Sequence, residues 1–411
     1  MAELATAVEE PSQPSRRLTR LVKSPSAAVT VAFFVNGFLF ASWTAHIPHV
    51  KEYLRLTDGT LGLALLGVPV GSVLAMLIAA RLLPRLGSRL IVRVTLVGYC
   101  AAGPLVGLIR SATGLFLALA LWGAFMATLD VSMNTQAITV ERRARRTLMP
   151  GFHGAWSVGS FAGAALGAAG VAIGLSLSSQ LLLLASPCVV IAGWLSLAMI
   201  PDENPTAGHP AHHGVGTSRR TVWLTIGILG AIAVADLLCE GAAADWAAVY
   251  LHSSLGAAPA IAALGFAAYS LAMVAVRLAG NRLLDRFAAH LLLPVLAALA
   301  TVAFGIGLAV QAVAAVLIGF AALGAGVSAV IPVIFSAAGR VPGINSGTAV
   351  ALVSAFGWIG LVCGPVLIGQ LADVTSLRLA LIAIPVLTTL IAVSTATCRA
   401  LRYRPDPPPL A

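Results

Sequence analysis

Four carboxylates and two amides stand in stretches of the chain that are otherwise apolar: Asp130, Asp236, Glu240, Asp245, Asn36 and Asn134. Asp130 and Asn134 are four residues apart, so on a helix they share one face. Asp236 and Glu240 have the same spacing, and repulsion between neighbouring carboxylates eases proton uptake by one of them. Asn36-Gly37 precedes Trp43, and Glu240-Gly241 precedes Trp246, so one pattern of polar residue, glycine and tryptophan occurs in each half. A carboxylate in hydrocarbon costs about 3 kcal/mol or more unless it meets water, a cation or a proton. Such a group senses which side of a membrane it is open to, and that is the chemistry of proton binding and coupled movement. Asp245 falls on a different face, nearer a helix end, and fits a mouth or packing position.

The elements that must hold these groups are membrane helices. Charged residues make up 10% of the 411 positions and apolar ones 59%, with a mean hydropathy of +0.96, far from the balance of a soluble domain. A hydrocarbon core needs about 20 apolar residues per helix. The chain offers such stretches near 27–52, 59–83, 89–109, 113–139, 150–174 and 178–200, then 221–251, 257–282, 289–310, 312–338, 345–371 and 377–398. The expected organisation is an N-terminal tail (1–25), a six-helix bundle (26–200), a linker (201–220), a second six-helix bundle (221–398) and a C-terminal tail (399–411). The fold class is all-α integral membrane, with about twelve helices in two pseudo-symmetric bundles. Arg81-Leu82-Leu83-Pro84-Arg85 returns 201 residues later as Arg282-Leu283-Leu284-Asp285-Arg286, close to half the chain.

An N-terminus inside the cell puts 21 of the 25 Lys and Arg residues at cytoplasmic ends and leaves Lys51, Arg55, Arg110 and Arg378 outside. That distribution predicts cytoplasmic termini and an even number of spans in a cell inner or plasma membrane. The net charge of +10 is then explained by membrane edges and anionic lipid headgroups rather than by nucleic acid. The first 20 or so residues, with Glu3, Glu9 and Glu10, lack the pattern of a signal peptide and are expected to form a disordered tail. Five scattered cysteines make no metal-ligand pair or disulfide framework, and the linker histidines His209, His212 and His213 have loose spacing. No cofactor is expected; the energy source is a proton gradient, with sodium left open.

The turns after the second and eighth helices resemble the major facilitator superfamily, whose motif there is Gly-x-Leu-Ala-Asp-Arg-x-Gly-Arg-Arg. The first copy keeps Arg85, Gly87 and Arg89 but has Pro84 for the acid; the second keeps Asp285 and Arg286 without the glycines. An acid and arginines at such a turn can form a charge network that holds one conformation, which makes Arg85, Arg89, Asp285 and Arg286 the gating candidates. Thr128-Leu129-Asp130-Val131-Ser132-Met133-Asn134 resembles the fucose permease branch of that superfamily. The resemblance implies proton coupling at Asp130, a polar-cavity role for Asn134, a small-molecule solute and a monomer in the bilayer.

His153 and Trp156, one turn apart on the fifth helix, and Trp358 on the eleventh complete the substrate and proton candidates with Asp130, Asn134, Asp236, Glu240, Asn36, Trp43 and Trp246. Aromatic rings beside amides and acids suit sugars, and also cationic or aromatic compounds. Gly159, Gly163 and Gly167 form a ladder expected to let another helix approach closely. Gly360, Gly364 and Pro365 resemble an antiporter bend motif, but on the eleventh helix instead of the fifth. Arg277 and Arg282 are placed near cytoplasmic ends, which leaves the membrane acids without an internal cation. No HExxH, GxSxG or GxxxxGK[ST] motif points to an enzyme. The expected function is proton-coupled movement of a small organic solute, sugar-like or another polar metabolite, across the membrane by alternating access, with the direction left open. The alternatives are a proton-driven efflux pump for a drug or secondary metabolite and, more remotely, a non-transporting membrane sensor.

Overall fold

The computed structural model describes residues 24–145, 148–202, 218–344 and 346–401. Most of the expected tails and linker, including the three linker histidines, and the side chain of Asp285 lie outside this description. Among the described residues all regular structure is helical, with twelve helices long and apolar enough to cross a membrane. They are α1 Pro25–Thr44, α2 Asp58–Leu86, α3 Ser88–Val106, α4 Ala112–Ala144, α5 Met149–Ala172 and α6 Leu177–Ala198, then α7 Arg219–Ser254, α8 Pro259–Ala279, α9 Ala289–Val310, α10 Val313–Ala338, α11 Thr348–Val374 and α12 Leu377–Thr397.

In lipid every backbone polar group needs a partner within the protein, so helix starts must be capped. Ser24, Thr57, Ser111, Ser176, Ser218 and Ser376 each accept a bond from a backbone N–H of the helix they precede. Glu141 caps the start of α5, accepting from the N–H groups of Leu148 at 2.6 Å and Met149 at 2.7 Å. The expected single helix over 27–52 is two helices: α1 stops at Thr44 and a short helix, Ile47–Tyr53, follows. Pro48 in its first turn accounts for the break, since proline lacks the N–H that would bond back to Thr44.

Glycines set which helices touch. A side chain at Gly159 would run into the Phe34 carbonyl, and one at Gly163 into that of Phe38, so the ladder on α5 seats directly on α1. Gly360 seats α11 on the Val234 carbonyl of α7 in the same way, which repeats the α1–α5 pairing in the second half. Van der Waals packing of this kind holds helices together where lipid offers no hydrophobic drive.

The halves meet at the end of the bundle that carries residues 45–57. There Thr57 donates to Asp373 Oδ2 at 2.9 Å, Gln370 donates to the Gly59 carbonyl at 3.3 Å, and Glu52 faces His252 at 3.0 Å. Gly62 lies against the Pro365 carbonyl, and Gly369 against Gly62. At the opposite, arginine-rich end, the start of α5 is open: His153 is exposed, and Gly151 and Gly154 have no neighbour in reach of an added Cβ.

Candidate functional site

A narrow cleft lies between the halves, lined by Trp156, Ser157 and Ser160 of α5, Glu240 of α7, and Phe266, Tyr269, Ser270 and Met273 of α8. Each wall follows helical spacing. Positions 156, 157 and 160 share one face of α5, and 266, 269, 270 and 273 share one face of α8, a stripe that continues to Arg277.

The Trp156 wall is held from behind. Its Nε1 donates to Asn36 Oδ1 at 3.0 Å, while Asn36 Nδ2 donates to the Met126 carbonyl at 3.2 Å and Tyr99 OH donates to the Asn36 carbonyl at 2.9 Å. Asn36 thereby ties α1 to α3, α4 and α5, and it acts on the cleft through Trp156. Gly37 beside it leaves room for the Trp156 carbonyl and Ser160. On the facing wall the rings of Phe266 and Tyr269 stack with centroids 5.5 Å apart and planes at 14°.

Arg277 corrects the expectation that the acids lack an internal cation. It turns inward: its Nη1 donates to Ser157 Oγ across the two halves at 2.7 Å, and its Nε donates to the Ser328 carbonyl at 3.2 Å. Its charge acts on Asp236, Glu240 and Tyr269, yet no ion pair within 4.0 Å joins it to either acid among the described residues. Asp236 is 1% exposed with Oδ1 unpartnered, and the Tyr269 hydroxyl is buried without a partner. Tyr269 lines the cleft, and Asp236 lies one turn from Glu240 on α7.

The other candidates are dispersed. Asn134 Nδ2 donates to Asp130 Oδ1 at 3.2 Å, so the expected pair forms on α4, half-buried and outside the cleft lining. Trp43 and Trp246 are 1% and 0% exposed and belong to the packed core. Trp358 is half-buried on α11 and not part of the cleft lining. The exposed His153 sits edge-on to Phe33 at 5.2 Å.

Arg85 and Arg89 are exposed and bond to no described residue. The turn they flank is organised instead by Asp202, which follows α6. It accepts from the Ser88 N–H at 2.6 Å and from the Ser88 hydroxyl, and Gln136 Nε2 reaches Ser88 Oγ at 2.6 Å and the Ile200 carbonyl at 2.8 Å. An acid absent from position 84 is thus supplied from a distant part of the chain.

A family model of the Major Facilitator Superfamily matches residues 230–411. An uncharacterised MFS-type transporter of Yersinia pestis is 32% identical over 371 residues, 90% of this chain and 95% of that protein. The membrane protein MosC of Rhizobium meliloti is 29% identical over 372 residues, 90% of this chain and 88% of that one. Among solved structures, a D-xylose-proton symporter superposes with a TM-score of 0.70 at 12% identity, covering 90% of this chain and 96% of that chain. The nucleoside transporter NupG gives 0.66 at 11% identity, covering 93% of this chain and 100% of that one. At these identities the solved structures share the fold with this chain.

Proposed function

The chain belongs to the major facilitator superfamily, and from that premise we propose that it is a proton-coupled transporter of a small polar organic solute, of the fucose permease-like branch, working by alternating access. The observation that carries the reading is the cleft between the halves, where the Glu240 side chain has no hydrogen-bond partner among the described residues and faces aromatic rings and three serines. Serine hydroxyls and a fixed indole ring offer a polyhydroxylated or ring-bearing solute both hydrogen bonds and a stacking face. Glu240 and Asp236 supply proton sites beside it, with Arg277 as the cation that competes for them. Asp130, held by Asn134, is a second coupling candidate, supported by the branch resemblance. The excess of Lys and Arg expected on the side of the termini supports a cytoplasmic location for both, in a plasma membrane. The cleft, closed at the 45–57 end, then opens inward.

Uptake into proteoliposomes under an imposed proton gradient tests this, with labelled sugars, amino acids and cationic dyes as solutes and a sodium gradient as a separate arm. The parent is expected to accumulate solute above equilibrium, and Glu240→Gln or Asp130→Asn to lose accumulation while keeping solute exchange. Proton-driven accumulation that persists in both variants would return these acids to structural roles.

A further inference from the structure

Both ring nitrogens of His252, in the last turn of α7, face oxygens able to accept a hydrogen bond. Nδ1 is 2.8 Å from the Ala257 carbonyl, and Nε2 is 3.0 Å from Oε1 of Glu52 on the short helix of the other half. A neutral imidazole carries one N–H and an imidazolium carries two. Satisfying both contacts therefore takes one proton more than a neutral ring beside a carboxylate supplies, whether that proton rests on His252 or on Glu52.

The neighbouring charges are otherwise engaged. Lys51 is paired with Asp58 at 2.5 Å, Asp373 accepts from Thr57 at 2.9 Å, and Arg378 donates from Nε to the Leu308 carbonyl at 2.8 Å. His49 is exposed, Tyr250 is buried with its hydroxyl unpartnered, and the Pro259–Ala262 turn carries no titratable side chain. Asp245 lies about two turns deeper on α7, where no hydrogen bond joins it to the pair.

We infer that His252 and Glu52 form a proton-binding site, separate from Asp130, Asp236 and Glu240, that latches this end of the cleft shut when occupied. The inference rests on the alternating-access reading, since a latch has meaning only at an end that opens. Under the proposed orientation this end faces outside, so an acidic exterior holds the cleft open inward and a more alkaline exterior releases it. The side chains are 22% and 58% exposed, so both exchange protons with solvent and the pair biases the equilibrium modestly. An exposed pair shifts a closed-to-open ratio roughly two- to fivefold.

The test uses the full chain in lipid nanodiscs, with spin labels at Arg110→Cys and Ala312→Cys, exposed positions in the two halves at this end, and Cys363→Ser to remove an exposed native thiol. Distance distributions are recorded from about pH 8 to about pH 5, the range that brackets histidine titration. The short-distance population is expected to grow two- to fivefold, roughly the worth of one exposed pair, as the parent is acidified. It should stay level in His252→Gln, whose amide still donates to Glu52 but cannot titrate, and in Glu52→Gln. Equal growth in His252→Gln and the parent, or none in the parent, would overturn the latch. No solute or gradient is involved, so the two ideas fail separately. A chain that closes with acid yet accumulates nothing loses the coupling reading, and one that accumulates solute while His252→Gln closes with acid as the parent does loses only the latch.

Discussion

His46, between α1 and the short helix, is 2% exposed, and its Nε2 lies 2.9 Å from Gln180 Oε1. The Gln180 amide nitrogen is committed to the Ser42 carbonyl at 3.2 Å, so its oxygen faces the ring and the ring presents an N–H. Burial lowers the His46 pKa below its ordinary 6.5; the Gln180 bond opposes this and His49 adds to it. Below about pH 6.5 the unfolded chain takes up a proton that the folded chain refuses, so the stability present above that pH is lost as pH falls. The thermal unfolding midpoint in micelles is expected to drop between about pH 7.5 and about pH 5.5, and to drop less in His46→Gln. An equal drop in the variant would assign the acid sensitivity to other groups. The membrane acids were legible in the sequence because charge is scarce there, but their partners were not. Tyr269 and Arg277 carry a detectable signal, the spacing 266, 269, 270, 273 and 277 on one face of α8. Arg277 escapes because its position near a helix end fits an anchor equally well, and only the fold shows it turned toward Ser157.

Among the helices, glycine spacing was the most readable feature. The ladder on α5 predicts a close approach, and the structure supplies α1 as the partner. Gly163→Ala would push a methyl into the Phe38 backbone, at a cost of about 1–3 kcal/mol. Gly154→Ala, five helix residues after Met149, meets no neighbour and is expected to stay within about 0.5 kcal/mol. Thermal unfolding of the two variants side by side decides this, and matching losses would mean that contact with α1 does not set the α5 seat. Asp202 was not readable, for a physical reason: the residues it joins, Ser88 and Gln136, are separated from it by 114 and 66 positions, and no local pattern records that distance. The break after Thr44 could have been found from Pro48, which an apolar stretch of that length conceals.

Across the whole molecule two seams join the halves: α8 packs on α5, with Arg277 bonded to Ser157, and α11 packs on α2 at the 45–57 end. One part of α11, at Gly360, fits α7 of its own half; another, at Pro365 and Gly369, fits Gly62 and the Asp58 carbonyl of α2 in the other half. A methyl at Gly369 would sit 2.6 Å from the Asp58 carbonyl and 3.2 Å from Trp246, so Gly369→Ala should pry this end apart. With Ser270→Cys as a reporter in the cleft and Cys363→Ser to clear the background, a water-soluble thiol reagent added from this end should label Gly369→Ala several-fold faster than the parent. Unchanged labelling would show that the α2–α11 seam does not set the opening. The α2–α11 seam bears on how this chain could exchange parts with a relative. A chimaera of residues 24–202 from this chain and the second half of the Yersinia pestis relative, 32% identical overall, would oppose an α2 and an α11 that were not fitted to each other. Crossovers that inherit both helices from one parent keep the fit of Gly62 and Gly369, and one placed between residues 202 and 218 separates them.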